Sequence, residues 1–242
     1  MTKLNKHRWQ EKDYITGYLE ARDVVVVERE RILKIWKSFY SYFLKGNKSN
    51  KVLELGCGDG ALTYELLGCD NNISAVLVDG SEEMLKKARE QLASFKNVEF
   101  LKQSFSDLIS KQVKLPQFSF IFSSLAIHHL ELKQKKALFK WVFEHLKAGG
   151  RFVNIDLVRS PSKELEDWYI ELWKEWIVEK QALLNSVQDF LDRVKTYSAK
   201  DHYAKLSTLS QQLHILKRAG FSEVDVFYQY GVFSMYGGKK VV

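Results

Sequence analysis

Residues 51–60, KVLELGCGDG, constrain this chain more than any other stretch. Val52, Leu53 and Leu55 make the apolar run of a buried strand, Gly56, Gly58 and Gly60 follow, and a helix-like segment begins near Ala61. Strand, glycine turn and helix in that order form a cradle for a nucleotide. Glycine reaches positive φ without steric cost and leaves no Cβ between backbone and ligand, while the start of a helix offers unpaired N–H groups. Spacing then narrows the choice. A dinucleotide fingerprint places its third glycine three positions after the second; here it comes two after, with Glu54 just ahead of the first. A phosphate-binding P-loop needs Gly-Lys followed by Ser or Thr, and Asp59-Gly60-Ala61 supplies none of that.

Around this stretch, strand-like and helix-like periods alternate. Residues 73–78 read as a second strand closed by Asp79-Gly80-Ser81. Ser81 before Glu82 and Glu83 reads as an N-cap with acids in the first turn of a helix running to about residue 94. Further strands are predicted at 98–101, 118–123 and 151–158, with a helix entered at 127–130 and ended by Lys147-Ala148-Gly149-Gly150. This alternation predicts an α/β fold whose parallel sheet is covered on both faces. Residues 1–22 show no clean period, whereas 24–44 read as one helix through Ile32, Ile35, Trp36, Phe39, Tyr40 and Phe43. Residues 161–205 carry helical periodicity only, and 209–219 are a helix. Residues 224–228 and 232–236 then pair as an antiparallel hairpin across Gly231.

Composition excludes several classes. No run of eighteen apolar residues exists and the first residues lack an apolar signal region, so a cytoplasmic location and no membrane partner are expected. Cys57 and Cys69 fall in neither a metal-ligand nor a redox spacing. The formal charge is +7, but residues 1–50 hold 11 Lys/Arg against 6 Asp/Glu and Lys239 with Lys240 supply the rest. A solvated N-terminal helix and tail explain that balance better than a nucleic-acid footprint does, though RNA stays open as a partner.

Glu54-x-Gly56-x-Gly58-x-Gly60, with Asp79 at the end of the next strand, resembles motif I and the acidic motif II of class I S-adenosylmethionine-dependent methyltransferases. The resemblance covers residues 50–160 well and the last third loosely. It implies a Rossmann-like, doubly wound seven-stranded sheet with its last strand antiparallel, formed by residues 47–160 and 206–242. Residues 1–46 would be a helical lid and 161–205 an inserted helical cap. The implied cofactor is S-adenosyl-L-methionine, with S-adenosyl-L-homocysteine as product and no metal.

Site residues carry over one at a time. Gly56, Cys57 and Gly58 would lie against the methionine half of the cofactor, with Glu54 helping to hold its amino group. An acid between Leu53 and Leu55 is costly unless something cationic meets it. Asp79, with Gly80, would accept the ribose hydroxyls, and Met84 would pack on adenine. The third motif departs from the family pattern: Gln103-Ser104-Phe105 stands where Gly-Asp-Ala is frequent, leaving Ser104 and the Phe105 N–H for the adenine edge. Ser123 ends a strand that faces the reacting methyl group. Arg22, beside Tyr14 and Tyr18 in the lid, is available to the cofactor carboxylate.

Two candidates for catalysis follow from the same resemblance. His129 corresponds to a histidine used as a base in some relatives, and an imidazole titrating near neutrality suits that task. A helix-entry histidine bonded to backbone is the plainer alternative. Asp156, inside the fifth strand, can orient a substrate amine or hydroxyl or else pair with Arg151 or Arg159. A zinc site of His128, His129 and His202 is the least favoured reading. Trp168, Tyr169, Trp173 and Trp176 make an aromatic helix that is either a packing face, here or in a homodimer, or a roof over the substrate.

These readings converge on transfer of a sulfonium methyl to an O, N or C nucleophile of a small-molecule acceptor. The alternatives are an RNA-modification enzyme related to carboxy-S-adenosylmethionine synthase, or a non-catalytic cofactor- or RNA-binding protein.

Overall fold

Seven strands form one sheet in a computed structural model that describes residues 9–46, 50–110, 113–183, 190–199 and 203–241, apart from the Arg193 side chain. Strands β1 (Lys51–Leu55), β2 (Ser74–Asp79), β3 (Val98–Lys102), β4 (Phe118–Ser124), β5 (Leu146–Leu157), β6 (Ser222–Tyr230) and β7 (Phe233–Lys239) lie in the order β3-β2-β1-β4-β5-β7-β6. The first five are parallel, and β7 runs antiparallel to both β5 and β6.

Alternation along the strands sends side chains to two cores. Val52, Ala75, Leu77, Phe120 and Phe122 face one cluster with Trp36, Phe39 and Tyr40, whereas Leu53, Val76, Val78 and Ile121 face another with Phe139, Trp141 and Leu216. Helices α3 (Ala61–Cys69), α4 (Glu82–Gln91), α5 (Phe105–Ile109), α6 (Leu132–His145) and α9 (Leu209–Ala219) alternate with the strands. Fully buried strands of this kind need both faces covered, and that is why β1, β2 and β4 read as near-continuous apolar runs.

The N-terminal region differs from the single expected helix. Helix α1 spans Lys12–Val25 and α2 spans Arg29–Phe43, separated by a break at Glu28, whose φ is +45°. A left-handed residue cannot continue a helix. The break turns Ala21, Val24, Val26 and Val27 toward Trp173, Ile177 and Phe233, making a third apolar cluster with helices α7 (Lys163–Leu183) and α8 (Asp192–Ser198). The expected apolar positions Leu184 and Val187 lie outside the described residues.

Strand β5 begins five residues earlier than expected. Helix α6 ends at His145, and residues 146–150 already run in the sheet, with Gly149 at φ +77° donating its N–H to Lys240 O at 2.8 Å. The Lys240 ammonium donates to Phe143 O at 2.9 Å and Leu146 O at 2.8 Å, satisfying helix-end carbonyls. Lys240 is therefore a capping residue rather than part of a solvated tail.

Candidate active site

At the carboxyl edge of the sheet the glycine loop is sewn to the neighbouring strand. Gly56 N and Cys57 N both donate to Val78 O, at 2.8 and 3.0 Å, and Gly56, Gly58 and Gly60 hold φ of 66°, 55° and 78°. A Cβ on Gly56 would fall 2.4 Å from Ala126 Cβ, so the loop and the end of β4 close on each other only through glycine. Asp79 completes the fastening: Gly58 N donates to one carboxylate oxygen at 2.9 Å and Ser81 N to the other at 2.8 Å. Burial raises the Asp79 pKa, opposed by these backbone donors.

Glu54 is buried beneath the loop. Its partner is Thr63, which donates its hydroxyl at 2.5 Å and its backbone N–H at 3.3 Å. A neutral hydroxyl, not the expected cation, meets this acid, and burial pushes its pKa up to about 8. Burial likewise pushes the Cys57 thiol up, keeping it protonated.

The N-terminal residues, expected as a lid, meet the glycine loop from the other side. Arg22 Nη1 donates to both oxygens of Asp59 in the glycine loop, at 2.8 and 2.9 Å, and Arg22 Nε is buried without a hydrogen-bond partner among the described residues. Trp9 packs edge-on against Tyr14, Tyr18 and His129, with ring centroids 5.3, 5.0 and 6.1 Å apart, and its carbonyl accepts from the Ser81 hydroxyl. Trp173 Nε1 donates to Val25 O at 2.7 Å and Trp176 Nε1 to Val24 O at 2.9 Å. Trp168, Tyr169, Trp173 and Trp176 do not line the cavity, and α7 packs against the N-terminal helices instead.

The cavity, partly open to solvent, measures about 530 Å³. It brings together Glu54, Gly56, Cys57, Gly58, Asp79, Gly80, Met84, Ser104, Phe105, Arg22 and His129. Two expected residues are left out. Ser123 is fully buried with its hydroxyl donating to Leu55 O at 2.7 Å, and the next residue, Ser124, lines the cavity instead. Asp156 sits behind the wall, accepting from Leu157 N at 3.0 Å and paired with His128 Nδ1 at 2.5 Å. Neither arginine meets it: Arg151 binds Glu223 at 2.8 Å, and Arg159 lies over the Tyr203 ring.

The adjacent histidines thus divide, with His128 held in the core and His129 at the cavity. Their ring centroids are 4.0 Å apart on the 3₁₀ turn Ile127–His129. The Ser104 hydroxyl is engaged by Asp107, donating at 2.6 Å in a capping box at the start of α5. Among the described residues no group of three His, Cys, Asp or Glu side chains is placed to hold a metal, and His202 lies outside them. No helix among them is long and apolar enough to cross a membrane.

Sequence reasoning missed Trp9, Asp59, Arg29 and Gln134, all of which line the cavity. Trp9 and Arg29 lie in the lid, where no motif marks them. Asp59 lay inside the glycine motif and could have been paired with an arginine on charge alone.

Known proteins share this architecture. A methyltransferase domain model matches residues 52–150. An O-methyltransferase family protein from Burkholderia thailandensis superposes with a TM-score of 0.61 at 13% identity, covering 96% of this chain and 63% of its own. Human N-acetylserotonin methyltransferase, solved in complex with S-adenosylmethionine, gives a TM-score of 0.60 at 13% identity, covering 100% of this chain and 60% of its own. The chain thus spans about three-fifths of the length of these two structures. The sheet order, glycine loop and strand-end carboxylate agree with that domain match, and together they support a class I S-adenosylmethionine-dependent methyltransferase family. By sequence the chain is similar to carboxy-S-adenosyl-L-methionine synthases. That of Nautilia profundicola is 22% identical over 188 residues, 77% of this chain and 76% of the relative, and that of Helicobacter pylori strain G27 is 26% identical over 219 residues, 86% and 84%.

Proposed function

We propose that the chain transfers the methyl group of S-adenosylmethionine to an O, N or C nucleophile of a small-molecule acceptor. The observation that carries this reading is that one cavity spans the edge from β3 to β5. Asp79, Met84 and Phe105 offer a carboxylate beside two apolar surfaces, suited to a ribose and a purine. Trp9, Tyr18, His129 and Gln134 line the same cavity, with Trp9 between Ser81 and His129, and on this reading they take the second molecule.

The donor set fits the cofactor. Asp79 would accept the ribose hydroxyls, the buried Arg22 Nε is a donor in need of an acceptor such as a carboxylate, and the backbone around Gly58 is open, with no atom within 4 Å of where a Cβ would stand. When bound, S-adenosylmethionine supplies a methyl group on a sulfonium, already activated for transfer. What this chain contributes is position and exclusion of water: the Arg22–Asp59 contact ties the lid to the loop, and the Trp9 cluster closes the acceptor end. On this reading His129, which lines the cavity, accepts the acceptor proton, and the buried Asp156–His128 pair holds the turn that carries it.

A concave cavity of about 530 Å³ lined by aromatic side chains favours a small acceptor over RNA. Calorimetric titration with S-adenosylmethionine, S-adenosylhomocysteine and NADH tests the cofactor, with Asp79→Ala alongside. Micromolar binding of the first two, lost in the variant, is expected; preference for NADH sinks the proposal.

A second reading has its own support, since relatives matching three-quarters or more of this chain are named carboxy-S-adenosyl-L-methionine synthases. On that reading the sulfonium carries a carboxylated group. Mass spectrometry of the nucleoside that co-purifies, and of the nucleoside formed on turnover, separates the two: S-adenosylhomocysteine supports methyl transfer, and a carboxylated sulfonium supports the alternative.

A further inference from the structure

The lid lines the cavity with two arginines whose charges are met very differently. Arg22 is held by Asp59, and both side chains are largely shielded, at 21% and 12% exposure. Arg29, at the first turn of α2, is 20% exposed, but its partner Asp23 is 72% exposed, and an ion pair with one wet member is weak. Both arginines line the one cavity, and burial first, then the Arg22 charge, lower the Arg29 pKa. The acids nearby do not absorb the surplus. Asp59 is engaged by Arg22, Glu54 is raised to about 8 by burial, and Asp79, at the nucleotide end, already accepts two backbone N–H groups.

A cofactor with a zwitterionic methionine half accounts for the Arg22–Asp59 pair, which offers one group of each sign, and leaves Arg29 over. Helical spacing shows what Arg29 belongs to. Ile32 and Leu33 follow it at i+3 and i+4 on the same face of α2, and all three line the cavity. That face is an apolar strip ending in a guanidinium, and the Trp9 and Tyr18 rings line the same cavity. A neutral polar acceptor would have no use for it.

Resting on the methyltransferase reading above, we propose that Arg29 is a specificity residue and that the acceptor is a small molecule with an apolar body and a terminal oxyanion, a carboxylate or a phosphate, held by the Arg29 fork. The guanidinium fork binds both groups through paired N–H donors, and the strip beneath it takes the body.

The test uses the full chain saturated with S-adenosylhomocysteine, titrated with benzoate, phenyl phosphate and benzyl alcohol. Benzoate or phenyl phosphate should bind at least about tenfold more tightly than benzyl alcohol, the stronger of the two assigning carboxylate or phosphate. Arg29→Gln should abolish that preference while changing S-adenosylhomocysteine affinity less than about threefold, which also shows that the variant folds. Arg29→Lys, which keeps the charge without the fork, should fall between. Asp23→Asn, which frees Arg29 from its partner, should leave anion binding equal or stronger. Equal binding of all three probes, binding of none, or an unchanged preference in Arg29→Gln overturns the proposal. So does a matching loss of S-adenosylhomocysteine affinity in Arg29→Gln, which would give Arg29 to the cofactor instead. A wild type that binds no S-adenosylhomocysteine sinks the underlying reading and this one with it.

Discussion

On the β1–β2–β3 half of the sheet edge the cavity wall is fastened mostly through main chain, with the glycine loop bonded to Val78 O and to the Asp79 carboxylate. Over β4 and the lid the wall is made of long side chains that meet across the sequence, Arg22 reaching Asp59 and Trp9 reaching His129. The first half depends on contacts between adjacent parallel strands and, at Gly56, leaves no room for a Cβ. The second depends on tertiary docking of α1 and α2 against α7, and each of its contacts contributes little alone. On the proposed reading, a site divided in this way can keep its cofactor contacts while its acceptor contacts change.

The sharpest way to break the contrast is Gly56→Val. Positive φ and a Cβ 2.4 Å from Ala126 leave no room, and the expected cost of about 2–4 kcal/mol should lower the unfolding temperature by roughly 5–15 °C and abolish cofactor binding. Retention of S-adenosylhomocysteine binding would show that the loop is more yielding than its hydrogen bonds imply. Next in size is Asp79→Ala, which removes the acceptor for Gly58 N and Ser81 N; affinity should fall by at least about tenfold with the fold kept, as read by calorimetry and circular dichroism.

Glu54 offers a test by pH. Its folded pKa of about 8 lies above the ordinary 4.5, so the folded state binds more protons than the unfolded one between those values, and this group's contribution to stability is present at low pH and lost as pH rises through about 8. Glu54→Gln should flatten that fall, by up to about 1.4 kcal/mol per pH unit, in denaturant midpoints measured across the range. The smallest effect belongs to the lid. Trp176→Phe removes one hydrogen bond to Val24 O, worth about 1 kcal/mol, and should weaken S-adenosylhomocysteine binding no more than about fivefold without altering the Glu54 pH dependence. A larger loss would mean that lid and loop are one cooperative unit rather than two.

The same division explains what could be read before the structure. The strand alternation, the glycine loop, Asp79 at a strand end and the Ser81 cap are written in local residues, and they formed as expected. The break at Glu28 has no local signal, because a glutamate at φ +45° is held there by packing of the valines around it against α7. Which of two adjacent histidines enters the core is decided by Asp156, 28 residues away. Ser123 missed the cavity by one position, since a single residue reverses the face of a strand. Arg29 escaped notice because a surface arginine at the start of a helix looks the same in sequence whether it meets water or a ligand.

One topological detail bears on how the chain is made. β7 lies inside the sheet between β5 and β6, yet it is the last strand in sequence order. During synthesis β6 therefore emerges with no neighbour to pair with, and β5 presents an open edge, until residues 233–239 have left the ribosome and slip between them. The nascent domain carries two unpaired edges for that interval, and the arrival of one short strand, with Lys240 behind it to close the end of α6, removes both at once.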